Sequence, residues 1–155
     1  MAERDRDEAG RPRNTRPRDA LGRPLAHGSE GVARIPEDLD LPPDETLTYA
    51  QELLDDGMAF HAHEVFEAAW KSRPDDERSL WQSLAQLAVG ITHVQRGNTK
   101  GALGVLRRAH AGLAGGAVTH GADVSGLVAY AEALIADLEA DVAIAPERLR
   151  PQLRA

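Results

Sequence analysis

Residues 60–71, FHAHEVFEAAWK, place two histidines and two glutamates in one stretch of helical spacing. His63 and Glu67 stand at i and i+4, so on a helix they share a face and can meet one metal ion or each other. Glu64 follows His63 directly, as a carboxylate able to take a proton from an activated water or to add a ligand. His61 points roughly 200° away from His63 on a helical projection, so the two histidines are not a joint chelate. Phe60 falls in the middle of the His63/Glu64/Glu67 face, and an apolar ring there predicts that the face is partly covered.

The cover is expected from the next helix. Residues 80–95 contain no formally charged side chain. Leu80, Leu84, Leu87, Ala88, Ile91 and Val94 fill one face, while Gln82, Gln86, Val89 and His93 lie opposite. Gln82, Gln86 and His93 fall within about 40° of each other on the projection. A helix uncharged all round belongs at the centre of a bundle. Antiparallel packing of the two helices can bring His93 and the glutamines against His63, Glu64 and Glu67. Nitrogen and oxygen ligands without sulfur suit zinc, manganese or iron, with His63, Glu67 and His93 as ligands and Glu64 as base. The same residues also make sense as a structural network, because buried His and Gln between helices satisfy one another's hydrogen bonds.

Two known metal patterns are not met. HEVFE has Glu67 where the zinc-protease helix HExxH needs its second histidine. Paired Glu-x-x-His motifs, as in carboxylate-bridged four-helix proteins, do not occur either.

The elements that must position these residues are helices. Aromatic residues are few, Ala and Leu supply most of the apolar content, and alternating β-branched runs are missing. An all-α fold follows, a compact bundle of about five helices built as two αα-hairpins plus a closing helix. The first helix is expected from residue 43 or 44, with Asp44 able to cap it and Gly57 ending it. The second spans about 58–72, and the third runs from 75 or 76 to 96, closed by Gly97. Asn98 caps the fourth, about 99–113, which buries Ala102, Leu103, Leu106 and Ala109 and turns Arg107 and Arg108 outward. A glycine-rich loop over 112–123 precedes a fifth helix that ends near 141, and the chain is expected to fray from Pro146. Gly57, Ala62, Phe66 and Ala69 recur forty residues later as Gly97, Ala102, Leu106 and Ala109, a repeat of hairpin units.

Three regions result: an Arg/Pro-rich extended or disordered arm over 1–42, a helical domain over 43–141 and a C-terminal tail over 142–155. The first 34 residues carry a net charge of +2 and the remainder −9. An acidic body argues against nucleic-acid binding, and the arm can lay its arginines on acidic surface of its own chain or a neighbour. With no cysteine, no apolar leader and no membrane-length run, a cytoplasmic protein without a membrane span is expected. His110 and His120 read as exposed, and His27 lies in the arm. The glycine loop lacks a nucleotide-binding pattern.

FHAHEVFEAAW followed by WQSLAQLAVGITHVQRGNTKGAL resembles the bacterial and archaeal family known as domain of unknown function 309, over roughly residues 47–109. The resemblance implies a compact all-helical fold. Its signature positions correspond to His63, Glu64, Glu67, Gln82, Gln86, His93, Gly97, Asn98 and Gly101. It also implies, through a label of predicted metal-dependent hydrolase, that a metal site is to be looked for. Two functions therefore stand side by side. One is a metal-dependent hydrolase. The other is a non-enzymatic, tetratricopeptide-like hairpin module that self-associates or binds a protein partner through a helical groove or the arm.

Overall fold

A computed structural model describes residues 19, 21–23, 35–36, 38–116 and 118–155. Five α-helices carry the fold: α1 Pro43–Asp55, α2 Ala59–Ser72, α3 Arg78–Gln95, α4 Thr99–Gly115 and α5 Val124–Glu139. Short 3-10 turns occupy Asp75–Glu77 and Pro146–Leu149. There is no strand among the described residues. Each helix packs on its neighbours in sequence, and α3 lies between α2 and α4. The architecture is the all-α bundle that the apolar periodicity implies.

The two hairpin turns are built alike. At the end of α1, Gly57 donates to Leu54 O and Met58 to Leu53 O; at the end of α3, Gly97 donates to Val94 O and Asn98 to His93 O. These paired bonds satisfy carbonyls that the helix end leaves without partners. They require a left-handed residue, and the glycines sit at φ 76° and 75°. The offset-40 repeat is thus a repeat of turn chemistry.

Small residues let α3 approach its neighbours. A Cβ on Gly90 would lie 2.5 Å from Leu106 Cδ2, so α3 and α4 meet where neither side has room to spare. On the α2 side the buried Phe66 and Trp81 rings stack at 6.5 Å and 24°.

Several boundaries differ from expectation. Asp44 does not cap α1; Pro42 holds that position without a side-chain bond, and Asp44 and Glu45 sit in the first turn. There they favour the positive end of the helix dipole. Asp75–Glu77 form a 3-10 turn before α3 begins. The fourth helix runs on to Gly115, two residues beyond its expected end.

The chain does not fray from Pro146. Leu149 and Leu153 are buried to 7% and 1%. Leu153 N donates to Gln51 Oε1 at 2.8 Å, Gln51 Nε2 to Pro151 O at 3.0 Å, and Asp123 N to Leu153 O at 2.8 Å. Arg148 pairs with Asp137 of α5 at 2.7 Å, and its carbonyl accepts from Tyr130. The tail therefore straps α5 to α1 and closes the bundle.

Most of the arm lies outside the described residues, and with it the expected contact of arm arginines on acidic surface. The described part docks. Ile35 is buried in the core, and a turn around Leu21 and Gly22 is held by Asp19 Oδ1, which accepts from Leu21 N and Arg23 N. Here an arginine of the body reaches the arm: Arg96 Nε donates to Leu21 O at 3.0 Å.

Candidate functional site

On α2, His63 and Glu67 meet as the i, i+4 spacing requires, with His63 Nε2 3.0 Å from Glu67 Oε2. The second carboxylate oxygen of Glu67 binds Lys71 Nζ at 3.0 Å. His63 Nδ1 lies 3.2 Å from the carbonyl oxygen of Phe60. Both ring nitrogens therefore face acceptors. The Phe60 ring lies 5.2 Å from the His63 ring, and Arg96 sits over Phe60 at 5.7 Å. A Cβ on Gly22 would collide with Phe60, so the arm turn covers this face as the apolar ring implied. Glu64 is half-buried, with one carboxylate oxygen wholly enclosed.

Hydrogen bonding from His63 holds the Glu67 carboxyl down to about 2, assisted by Lys71 and opposed by burial. A carboxylate depressed in the folded state contributes stability that is full above the ordinary carboxylate range and is lost as pH falls toward its folded value. Carbon NMR titration should therefore find Glu67 still ionised near pH 3. In His63→Ala the same carboxyl should titrate clearly higher, nearer the ordinary range. An unchanged titration would show that His63 is not its principal partner.

His93 does not join this group. Its Nδ1 lies 3.1 Å from Asn98 Nδ2, which donates to it, and Asn98 Oδ1 accepts from Gly101 N at 3.0 Å. Burial, then Arg96, lowers the His93 pKa, consistent with an acceptor nitrogen. A Cβ on Gly101 would lie 2.5 Å from Asn98 Nδ2 and 3.1 Å from His93 Nδ1, so only glycine fits beside this cap. The His93 ring is held instead at the turn into α4, beside Asn98 and Gly101. Gln95 Nε2 donates to Gly57 O at 2.9 Å, which brings the end of α3 beside the turn before α2.

Gln82 and Gln86 are half-buried along the same stripe as Val89 and His93, and neither hydrogen-bonds to His63 or Glu67. Among the described residues no three His, Cys, Asp or Glu side chains converge on a point that could hold a metal ion. His61, set aside on the projection, is buried to 1%, its ring edge-on to Phe60 at 5.9 Å.

Among the described residues a more enclosed polar cluster lies elsewhere. Glu77, 3% exposed, accepts a fork from Arg73, with Nε at 3.1 Å and Nη2 at 3.0 Å. Trp81 Nε1 donates to the same carboxylate at 3.1 Å, and His120 Nε2 lies 3.4 Å away. The Arg73 fork, then the Trp81 N–H and the charge of His120, hold the Glu77 carboxyl below its usual range against burial. His120 is exposed as expected, and its ring also reaches a buried carboxylate from a left-handed position at φ 45°. The signal was present in the spacing, since Arg73 and Trp81 stand four residues either side of Glu77. His110 pairs with Glu132 across α4 and α5 at 2.7 Å.

Residues 47–105 match the family model described as Domain of unknown function (DUF309). Over that stretch the chain is similar to this family. No curated protein and no solved structure matches it. The matched segment holds the His63 face, the Glu77 cluster except His120, and the Asn98 cap. It stops inside α4, so α5 and the closing tail lie beyond it. No described helix is long and apolar enough to cross a membrane.

Proposed function

We propose that this helical domain is a non-enzymatic helical-hairpin module that binds a protein partner, and that its His, Glu and Gln residues form structural networks. One observation carries this. Each expected ligand is already engaged by a near neighbour in sequence: His63 by Phe60 and Glu67, Glu67 by His63 and Lys71, His93 by Asn98. A metal at His63 Nε2 would have to displace its contact with Glu67. Four signature positions, His93, Gly97, Asn98 and Gly101, are accounted for by one helix-to-helix turn.

Thermal unfolding tests the proposal. Chelator-treated protein should keep the midpoint of untreated protein. His63→Ala should cost about 1 kcal/mol, the scale of one partly buried hydrogen-bonded pair. A midpoint that falls on chelation and recovers with zinc or manganese would overturn the structural assignment.

A further inference from the structure

Among the described residues Val142 is the one large apolar side chain left exposed, at 49%. It stands in the link between α5 and the C-terminal strap, residues 146–155, and that link has two further features. The first is its turn. Asp141 N donates to Leu138 O and Val142 N to Asp137 O, the same pair of bonds that ends α1 and α3. Those two turns place glycine at the left-handed position, whereas this one places Asp141 there, at φ 56°. An aspartate holds that backbone at a cost that glycine does not bear.

The second feature is its sequence. Leu127, Ala131, Leu134 and Leu138 form the buried stripe of α5, and Val142 and Ala145 continue it at helical spacing. No glycine or proline interrupts the chain between Leu138 and Pro146, and three of the six residues before that proline are alanine. The sequence supports a longer α5, ending before Pro146, that the turn at Asp141 cuts short.

The strap itself is held as a bound peptide is. Leu149, Pro151 and Leu153 are buried while Arg150, Gln152 and Arg154 are exposed, the alternation of an extended segment lying in a groove. The Gln51 side chain clamps its main chain, donating to Pro151 O and accepting from Leu153 N, and Asp123 N donates to Leu153 O. Arg148 meets Asp137 and Tyr130. None of these contacts requires the strap to come from the same chain.

We propose that the chain dimerises by exchange of this strap. In each copy α5 runs on through Asp141 toward Ala145, and residues 146–155 close the groove between α1 and α5 of the other copy. Exchange turns the left-handed Asp141 into ordinary helix and adds Val142 to the apolar stripe. Four added residues of helix carry the start of the strap roughly 6 Å along the axis, away from its own groove. The occupant is a second copy because the groove is already fitted to this segment at three alternate side chains and along its main chain. The proposal goes beyond the module reading and does not depend on it.

The test is sedimentation velocity on the full chain, held at about 1 mM just below its thermal midpoint, then cooled and diluted. At that concentration a second copy competes with a tethered segment. The parent should show a dimer that decays slowly on dilution. Asp141→Gly suits the closed turn and weakens the longer helix, so it should weaken the dimer at least about tenfold. Asp141→Ala does the reverse and should strengthen it. Exchange itself is read by cross-linking, since the chain has no cysteine of its own. Arg154 Nη2 donates to Thr48 Oγ1, and both residues are exposed. A Thr48→Cys chain and an Arg154→Cys chain, mixed before warming and treated with a short bismaleimide, should be joined between positions 48 and 154 in the dimer fraction. The same chains mixed after cooling should not. A chain that stays monomeric throughout, Asp141→Ala included, a dimer equally stable in both Asp141 variants, or a dimer without that cross-link would each overturn the proposal.

Discussion

Trp81→Ala is expected to remove about 3–5 kcal/mol of folding stability, the range for truncating a fully buried aromatic. That is a large part of the roughly 5–15 kcal/mol that holds a domain of this size together. Trp81 has no exposed surface, its ring stacks on Phe66 and its N–H serves the buried Glu77. The alanine variant leaves a cavity between α2 and α3 and deprives Glu77 of a donor at once. Trp81→Phe separates the two effects. It retains most of the ring contact and should cost about 1–3 kcal/mol, the penalty for taking one partner from a buried polar atom. Urea unfolding of both variants measures the difference. Near-equal losses would mean that the Glu77 bond, not the stack, dominates; an alanine variant within about 1 kcal/mol of the parent would contradict the placement of Trp81 in the core.

Truncation after Arg148 is the second large effect. It removes Leu149 and Leu153, each worth about 1.5–3 kcal/mol when fully buried, so a loss of about 3–6 kcal/mol is expected. It also removes the bonds of Leu153 and Pro151 to Gln51 and of Leu153 to Asp123. Arg148 is retained, so its contacts to Asp137 and Tyr130 keep the start of the strap on α5. Loosening should therefore appear first in α1, whose packing on helices is confined mainly to α2. Hydrogen exchange should show α1 amides losing protection ahead of α3. A truncated chain with the parent's thermal midpoint would contradict the strap.

The helices were legible because their ends are punctuated by residues whose chemistry acts locally. Gly57 and Gly97 admit the left-handed turn, Asn98 caps α4 and Asp123 caps α5 through the N–H of Gly126. The uncharged stretch of α3 likewise announced a central helix. The tail was not legible, since Leu149 and Leu153 are spaced among prolines and arginines without helical period, and only tertiary packing reveals what they cover.

The candidate site was half legible for a geometric reason. A helical projection gives angle, so it correctly joined His63 to Glu67 and separated His61. It carries no information on which neighbouring element a side chain meets, and His93 meets the Asn98 cap at the start of α4. Glu77 was overlooked because it ends an acidic run, DDE, that resembles a solvated helix start. Its burial depends on Arg73 and Trp81 arriving from both sides and on a loop histidine distant in sequence.

The role of His63 is the point on which the account turns. Elemental mass spectrometry on protein purified without affinity-column metal and then equilibrated with zinc, manganese or iron measures it directly. The structural assignment predicts well below one metal per chain, with His63→Ala indistinguishable from the parent. One equivalent of metal per chain, retained through dialysis and lost in His63→Ala, would contradict it.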